Sequence, residues 1–228
     1  MRRIAAPALL ACAALLLAST AAEAKTFEIA RIYIEYNESA NDLGFHVSLD
    51  GEDWETLEIR DPRDTVIFDV DSGGGYTDLG LTELFFEGAE PTLTDFPVDQ
   101  LLARFPEGRY RFQAELAAGG RLSSTATLSH TVPAGPQVST QILANGTIII
   151  RWAPVTSSAS ILPPRPVTIV GYQVLVDPFE VILPATATQV TLPPEFAASL
   201  TRGQHPFEVL AIEAGGAQTI TEGVFVKP

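Results

Sequence analysis

Carboxylates dominate the chemistry open to this chain. Asp50-Gly51-Glu52-Asp53 stands at a predicted turn, and Asp69 and Asp71 share one face of a predicted strand beside Ser72-Gly73-Gly74-Gly75. Calcium takes about six to eight oxygen ligands, which carboxylates on neighbouring loops can supply. Neither run has EF-hand spacing: Asp69-Val70-Asp71 lacks the third ligand and the closing Glu. A solvated acidic surface accounts for the same residues. That surface is the preferred reading, so no cofactor is expected, with calcium the alternative, and no metal ligand is assigned. His46, His130 and His205 lie far apart, and none forms a metal-spaced pair. Each reads as a surface or loop histidine, His46 on the outward face of its strand. There is no G-x-S-x-G elbow, and Gly73-Gly74-Gly75 lacks the Lys-Ser/Thr of a phosphate-binding loop. The many acids single out no pair for glycoside hydrolysis. Trp54 and Tyr76 follow turn residues, where they read as sugar-facing loop aromatics or as core aromatics at strand ends. Asn37-Glu38-Ser39 and Asn145-Gly146-Thr147 are glycosylation sequons for a eukaryotic host, the second being also a hairpin turn. No catalytic, cofactor-binding or metal residue is assigned, the binding residues stay unknown, and the chain reads as a non-enzyme.

The amino terminus sets the compartment. Arg2 and Arg3 precede an apolar run from Ile4 to about Ala18, and Ala22-Glu23-Ala24 ends the segment. This is an export signal over residues 1–24, leaving Lys25 as the first mature residue. The A-x-A site and the Ala-rich run favour cleavage over an uncleaved anchor. The short apolar stretch before Cys12 disfavours lipidation. The expected location is secreted, periplasmic or cell-surface, with no membrane span after cleavage. Cys12 is the single cysteine, so the mature chain is cysteine-free. That excludes a disulfide scaffold, a cysteine nucleophile, iron–sulfur ligation and thiolate zinc, and leaves stability to apolar cores.

Pro133-Ala134-Gly135-Pro136 reads as a stiff linker between two bodies. Residues 25–133 carry 21 acidic and 8 basic side chains, whereas 134–228 carry 6 and 4. So acidic a first body repels nucleic acid and anionic lipid. Within it, Phe45, Val47 and Leu49, then Val66, Phe68 and Val70, then Tyr110, Phe112, Ala114 and Leu116 alternate with polar residues. Period-two alternation marks half-buried antiparallel strands. Between Phe27-Ile29 and Ile32-Ile34-Tyr36 the phase slips by one residue, which suits a β-bulge. One short helix is expected near 98–105, from Val98, Leu101, Leu102 and Phe105 between Pro97 and Pro106. Turns are expected at Asp50-Gly51, Asp61-Pro62, Gly73-Gly75 and Gly119-Gly120. Phe105-Pro106-Glu107-Gly108-Arg109-Tyr110 looks like a tyrosine-corner entry into a late sandwich strand.

The second body repeats this strand rhythm with more landmarks. Val138 lies in strand A, Asn145-Gly146 turns into Thr147-Ile148-Ile149-Ile150, and Trp152-Ala153-Pro154 ends strand B. Tyr172, Val174 and Val176 form strand C, Val190 and Leu192 strand E, Phe207, Val209 and Ala211 strand F, and Val224 and Val226 end strand G. Residues 136–228 thus resemble a fibronectin type III module. The departures are His205-Pro206 at the tyrosine-corner position, a long Ser- and Pro-rich loop from Val155 to Pro166, and no Arg-Gly-Asp. The resemblance implies a module that positions partners, without integrin-type binding.

The expected architecture is all-β: two β-sandwich domains in tandem after the signal peptide, spanning 25–133 and 134–228, the second fibronectin type III-like. The expected function is an exported, non-catalytic binding protein presenting sandwich loops or edges to a protein or glycan partner. The alternatives are a polysaccharide-active enzyme with an appended module, and a self-associating envelope or matrix component. Oligomeric state is left open.

Overall fold

The computed structural model describes residues 25–228. The export signal, its cleavage after Ala24 and Cys12 lie outside the described residues. The chain is all-β, with thirteen strands and three short helices among the described residues. In the first body, β1 (Ile29–Asn37) pairs antiparallel with β2 (Asp42–Arg60), which runs on without the expected turn at Asp50-Gly51. Its first half also pairs with β4 (Leu81–Glu87), and its second half with β3 (Val66–Asp71) and β5 (Gly108–Leu116). Partners on both sides satisfy the backbone, so the local turn preference of Asp-Gly is overridden. Register shifts between Asp50 and Trp54, and between Trp54 and Thr56, absorb the mismatch and bend the strand. As a result Leu49, Trp54, Leu57 and Ile59 are all fully buried despite their broken parity.

The phase slip in β1 has a simpler cause than a bulge. Phe27 precedes the strand, and β1 then pairs with β2 without interruption from Ile29 to Asn37. The bulge lies instead in β3, where Ile59 opposes Phe68 and Arg60 opposes Val66, which is turned outward. A five-residue helix α1 (Gly75–Leu79) follows the glycine run, and α2 (Val98–Arg104) fills the expected helical site. The β5 alternation holds residue by residue, and Tyr110 Oη donates to the Pro106 carbonyl at 3.1 Å, forming the corner. β6 (Arg121–Leu128) completes this body.

In the second body β7 (Val138–Ile142), β8 (Ile148–Trp152) and β11 (Gln189–Thr191) form a three-stranded sheet. It faces β10 (Phe179–Pro184), β9 (Ile169–Val176), β12 (Gly203–Glu213) and β13 (Gln218–Lys227), in that order. A six-residue helix α3 (Pro194–Ser199) precedes β12. Three strands facing four is the arrangement the fibronectin type III resemblance implies. Ile148, Ile150, Trp152, Tyr172, Val174, Phe207, Val209 and Phe225 fill the space between. β13 ends through Val224 and Val226 as expected; its inward residue there is Phe225, and the two valines are 55% and 60% exposed. His205 Nε2 lies 2.7 Å from the Thr201 carbonyl, four residues back like the Tyr110 contact, so the imidazole replaces the phenol of the corner.

Around Pro133–Pro136 the chain is not a free spacer. Pro133, Gly135 and Pro136 are buried, Thr219 Oγ1 donates to the Pro133 carbonyl at 2.6 Å, and Ala134 N–H donates to Ser157. The long loop after β8 folds back, placing Ala159, Ile161 and Leu162 against the first body's core. Most of all, β1 pairs parallel with β13, Glu35 opposite Gln218 and Asn37 opposite Ile220. Ten strands therefore share one sheet across both bodies, its main path running β10-β9-β12-β13-β1-β2-β5-β6.

Candidate functional site

The continuous sheet has an outer face whose composition follows from parity. With Ile32, Ile34 and Tyr36 inward on β1, Tyr33 and Glu35 point outward. Across the β1–β2 register Tyr33 meets His46 and Glu35 meets Gly44, while His46 meets Glu87 on β4. Across the seam Glu35 meets Gln218, and Glu208 opposes Glu222 on β12 and β13. Two open grooves of about 480 and 520 Å³ lie along this face, one beside Tyr33 and Ile212, the other beside Glu208 and Val224.

His46 is the centre of a carboxylate cluster. The expected outward orientation is right, yet its side chain is only 4% exposed. Tyr33 stacks on the imidazole with centroids 5.1 Å apart, and Phe85 tilts against it at 5.8 Å. The connection after β4 closes the remaining side. It is fixed by Gly88 N–H to the Phe45 carbonyl and Leu93 N–H to the Asn41 carbonyl, and between these anchors Glu90 lies over Gly44. A Cβ at Gly44 would stand 2.5 Å from Glu90 Oε1, so only glycine leaves room for that carboxylate.

The result is His46 Nε2 at 3.4 Å from Glu90 Oε1 and 3.7 Å from Glu35 Oε1, with Nδ1 at 3.7 Å from Glu87 Oε2. Nδ1 has no hydrogen-bond partner. Glu35 Oε2 accepts a hydrogen bond from Gln218 Nε2 of the second body. Burial pushes the Glu35 carboxyl above its usual range, with the charges of Glu90 and Glu208 adding to it, against the opposing pull of His46 and Gln218. Ligand atoms of Glu35, His46 and Glu90 all lie within 4.8 Å of one another, so these three residues could hold a metal ion.

The other sequence candidates are dispersed. Asp50 to Asp53 lie within β2, and Asp69 and Asp71 line a separate open groove with Glu58, Glu115 and Arg121. Trp54 is fully buried, whereas Tyr76 is 57% exposed on α1. Asn37 of the first sequon is engaged at the seam: its Nδ2 donates to Glu222 Oε1 at 2.8 Å and its Oδ1 accepts from Ser39 and Ala40. His130 and His205 each place Nε2 2.7 Å from a backbone carbonyl. Burial, and then the charge of Glu222, raise the Glu208 carboxyl above its usual range. Sequence reasoning missed Glu35, Glu87 and Glu90 as partners of His46. Glu35, between Ile34 and Tyr36, and Glu87, two positions past Phe85, had a legible signal in their alternating strands; Glu90 had none.

No protein-family model matches the sequence, and no curated protein matches it. Among solved structures, the chicken CNTN1 FN1-FN3 domains align over 90% of this chain and 65% of theirs, at 11% identity and a TM-score of 0.37. A two-domain fibronectin type III segment from chicken tenascin aligns over 89% of this chain and 99% of its own, at 12% identity and a TM-score of 0.31. The Clostridium perfringens spore cortex lytic enzyme SleM aligns over 42% of this chain at 17% identity and a TM-score of 0.32; the aligned part is 28% of that enzyme. The chain spans only part of two of these three structures.

Proposed function

We propose that this chain is an exported, non-catalytic interaction protein that binds a protein or glycan partner at the cell surface through the outer face of its continuous sheet. The observation that carries this reading is the composition of that face across both bodies. Glu35, Glu87, Glu90, Glu208 and Glu222 share it with the exposed apolar side chains of Phe85, Val224 and Val226. Carboxylates interspersed with exposed apolar groups suit a partner surface that is cationic and partly apolar. No helix among the described residues is long and apolar enough to cross a membrane.

Photo-crosslinking residues placed at Phe85 and Val224 test this in the native cells, with Leu143, in the turn between β7 and β8 of the three-stranded sheet, as the control. Capture of the same partner from positions 85 and 224, but not from 143, is expected. Capture from 143 alone, or from none, refutes the assignment of the face.

A second reading rests on the edge strand β10, which pairs only with β9 and carries Ile182 at 67% exposure. Such an edge can add a strand from another copy. Size-exclusion chromatography decides it: a monomer at high concentration removes self-association as the role.

A further inference from the structure

We propose that Glu35, His46 and Glu90 form a binding site for a divalent transition-metal ion of the zinc class, with Gln218 orienting Glu35. The site lies on the proposed partner-binding face and shares Glu35, Glu87 and Glu90 with it, but metal uptake is read with no partner present, so either proposal can fail alone. His46 differs from the other two histidines of the chain, each of which satisfies Nε2 with a backbone carbonyl at 2.7 Å. His46 is nine-tenths buried, yet its nearest contacts are 3.4 to 3.7 Å, too long for strong hydrogen bonds to carboxylates.

Those lengths have a natural explanation in coordination geometry. Zinc holds nitrogen and oxygen ligands at about 2.0 to 2.2 Å, so neighbouring ligand atoms of a tetrahedron are separated by about 3.4 Å. His46 Nε2 to Glu90 Oε1 is 3.4 Å and to Glu35 Oε1 is 3.7 Å. Calcium fits less well, because it takes about six to eight oxygens and the central ligand here is an imidazole.

The surrounding groups complete the pattern. Glu87 Oε2 lies 3.7 Å from Nδ1, so its charge faces the ring from the side opposite Glu90 without a direct hydrogen bond. Gln218 donates to the outer oxygen of Glu35 and leaves Oε1 directed at the cluster. Gly44 supplies the space through which Glu90 reaches over the strand. A bound ion would tie the connection carrying Glu90 to β1 and β2, and it leaves a fourth position for water or a partner's side chain.

Cobalt(II) reports the geometry directly, since tetrahedral cobalt absorbs far more strongly in the visible than octahedral cobalt. The untagged exported protein is titrated with cobalt chloride, then with zinc chloride, and separately with calcium chloride. One cobalt per chain with tetrahedral bands, displaced by one zinc and unaffected by equimolar calcium, is expected. His46→Gln and Glu90→Gln should abolish the bands. Glu90 sits on a surface connection, so Glu90→Gln decides the matter even where His46→Gln fails to fold. No stoichiometric uptake, uptake unchanged in Glu90→Gln, an octahedral spectrum, or displacement by equimolar calcium overturns the proposal.

Discussion

Replacing Glu107 by Gln should loosen the junction between the two bodies. Its carboxylate accepts both terminal guanidinium nitrogens of Arg165 at 2.5 and 2.9 Å, and the backbone N–H of His130 at 2.7 Å. The Arg165 hydrogen bonds lead in holding the Glu107 carboxyl down at about 2, against an ordinary 4.5. A depression of that size corresponds to at most about 3 kcal/mol. The two side chains are 38% and 42% exposed, and screening by water reduces the expected contribution to about 1 kcal/mol. Because the folded-state value is the lower one, the stabilisation is complete above about pH 4.5 and fades as pH falls through about 2. Urea unfolding of the wild type, Glu107→Gln, Arg165→Gln and the double variant measures the coupling. It should be about 1 kcal/mol at neutral pH and less than half of that near pH 2. A coupling near zero at neutral pH, or one unchanged at pH 2, refutes the argument.

Tyr110→Phe removes the phenol from the Pro106 carbonyl and should cost about 1 kcal/mol in urea unfolding. Phe112→Ala empties a fully buried site in the first core and should cost about 3 to 5 kcal/mol, read as a lowered midpoint at constant slope. Gly44→Ala puts a methyl where Glu90 lies and should weaken zinc uptake about tenfold while leaving stability within about 0.5 kcal/mol. Capture of the partner through the acidic face should weaken as salt rises from low to physiological, measured by surface-immobilised binding; salt-independent capture counts against that face.

Strand type was legible wherever one side of a strand meets a core. In β5 the alternation of Tyr110, Phe112, Ala114 and Leu116 with charged residues leaves one solution, and Pro106 with Tyr110 marks the corner. Val98 and Leu101 between two prolines located α2 in the same way. The failures share one cause, which is that local signals do not report what lies across a surface. Asp50-Gly51 has strong turn chemistry, but strands on both sides of β2 hold it extended, with Gly51 close against the Phe27 ring. Alternation put His46 outward correctly, but nothing in its own strand says that Glu90 arrives from a connection more than forty residues on. β10 was missed although Phe179, Val181 and Leu183 alternate and end at Pro184, a pattern sufficient to find it. The Pro133–Pro136 segment reads as a stiff linker, and its composition does not report the Thr219 contact or the β1–β13 pairing that join the two bodies beside it.

That pairing has a further consequence for recognition. Because β1 and β13 are hydrogen-bonded neighbours, the halves cannot rotate independently, and groups 180 residues apart in sequence keep a set spacing. The entropy of aligning them is surrendered during folding and is not charged again when a large ligand spans the joint. The molecule offers such a ligand a ready-aligned template in place of two tethered beads.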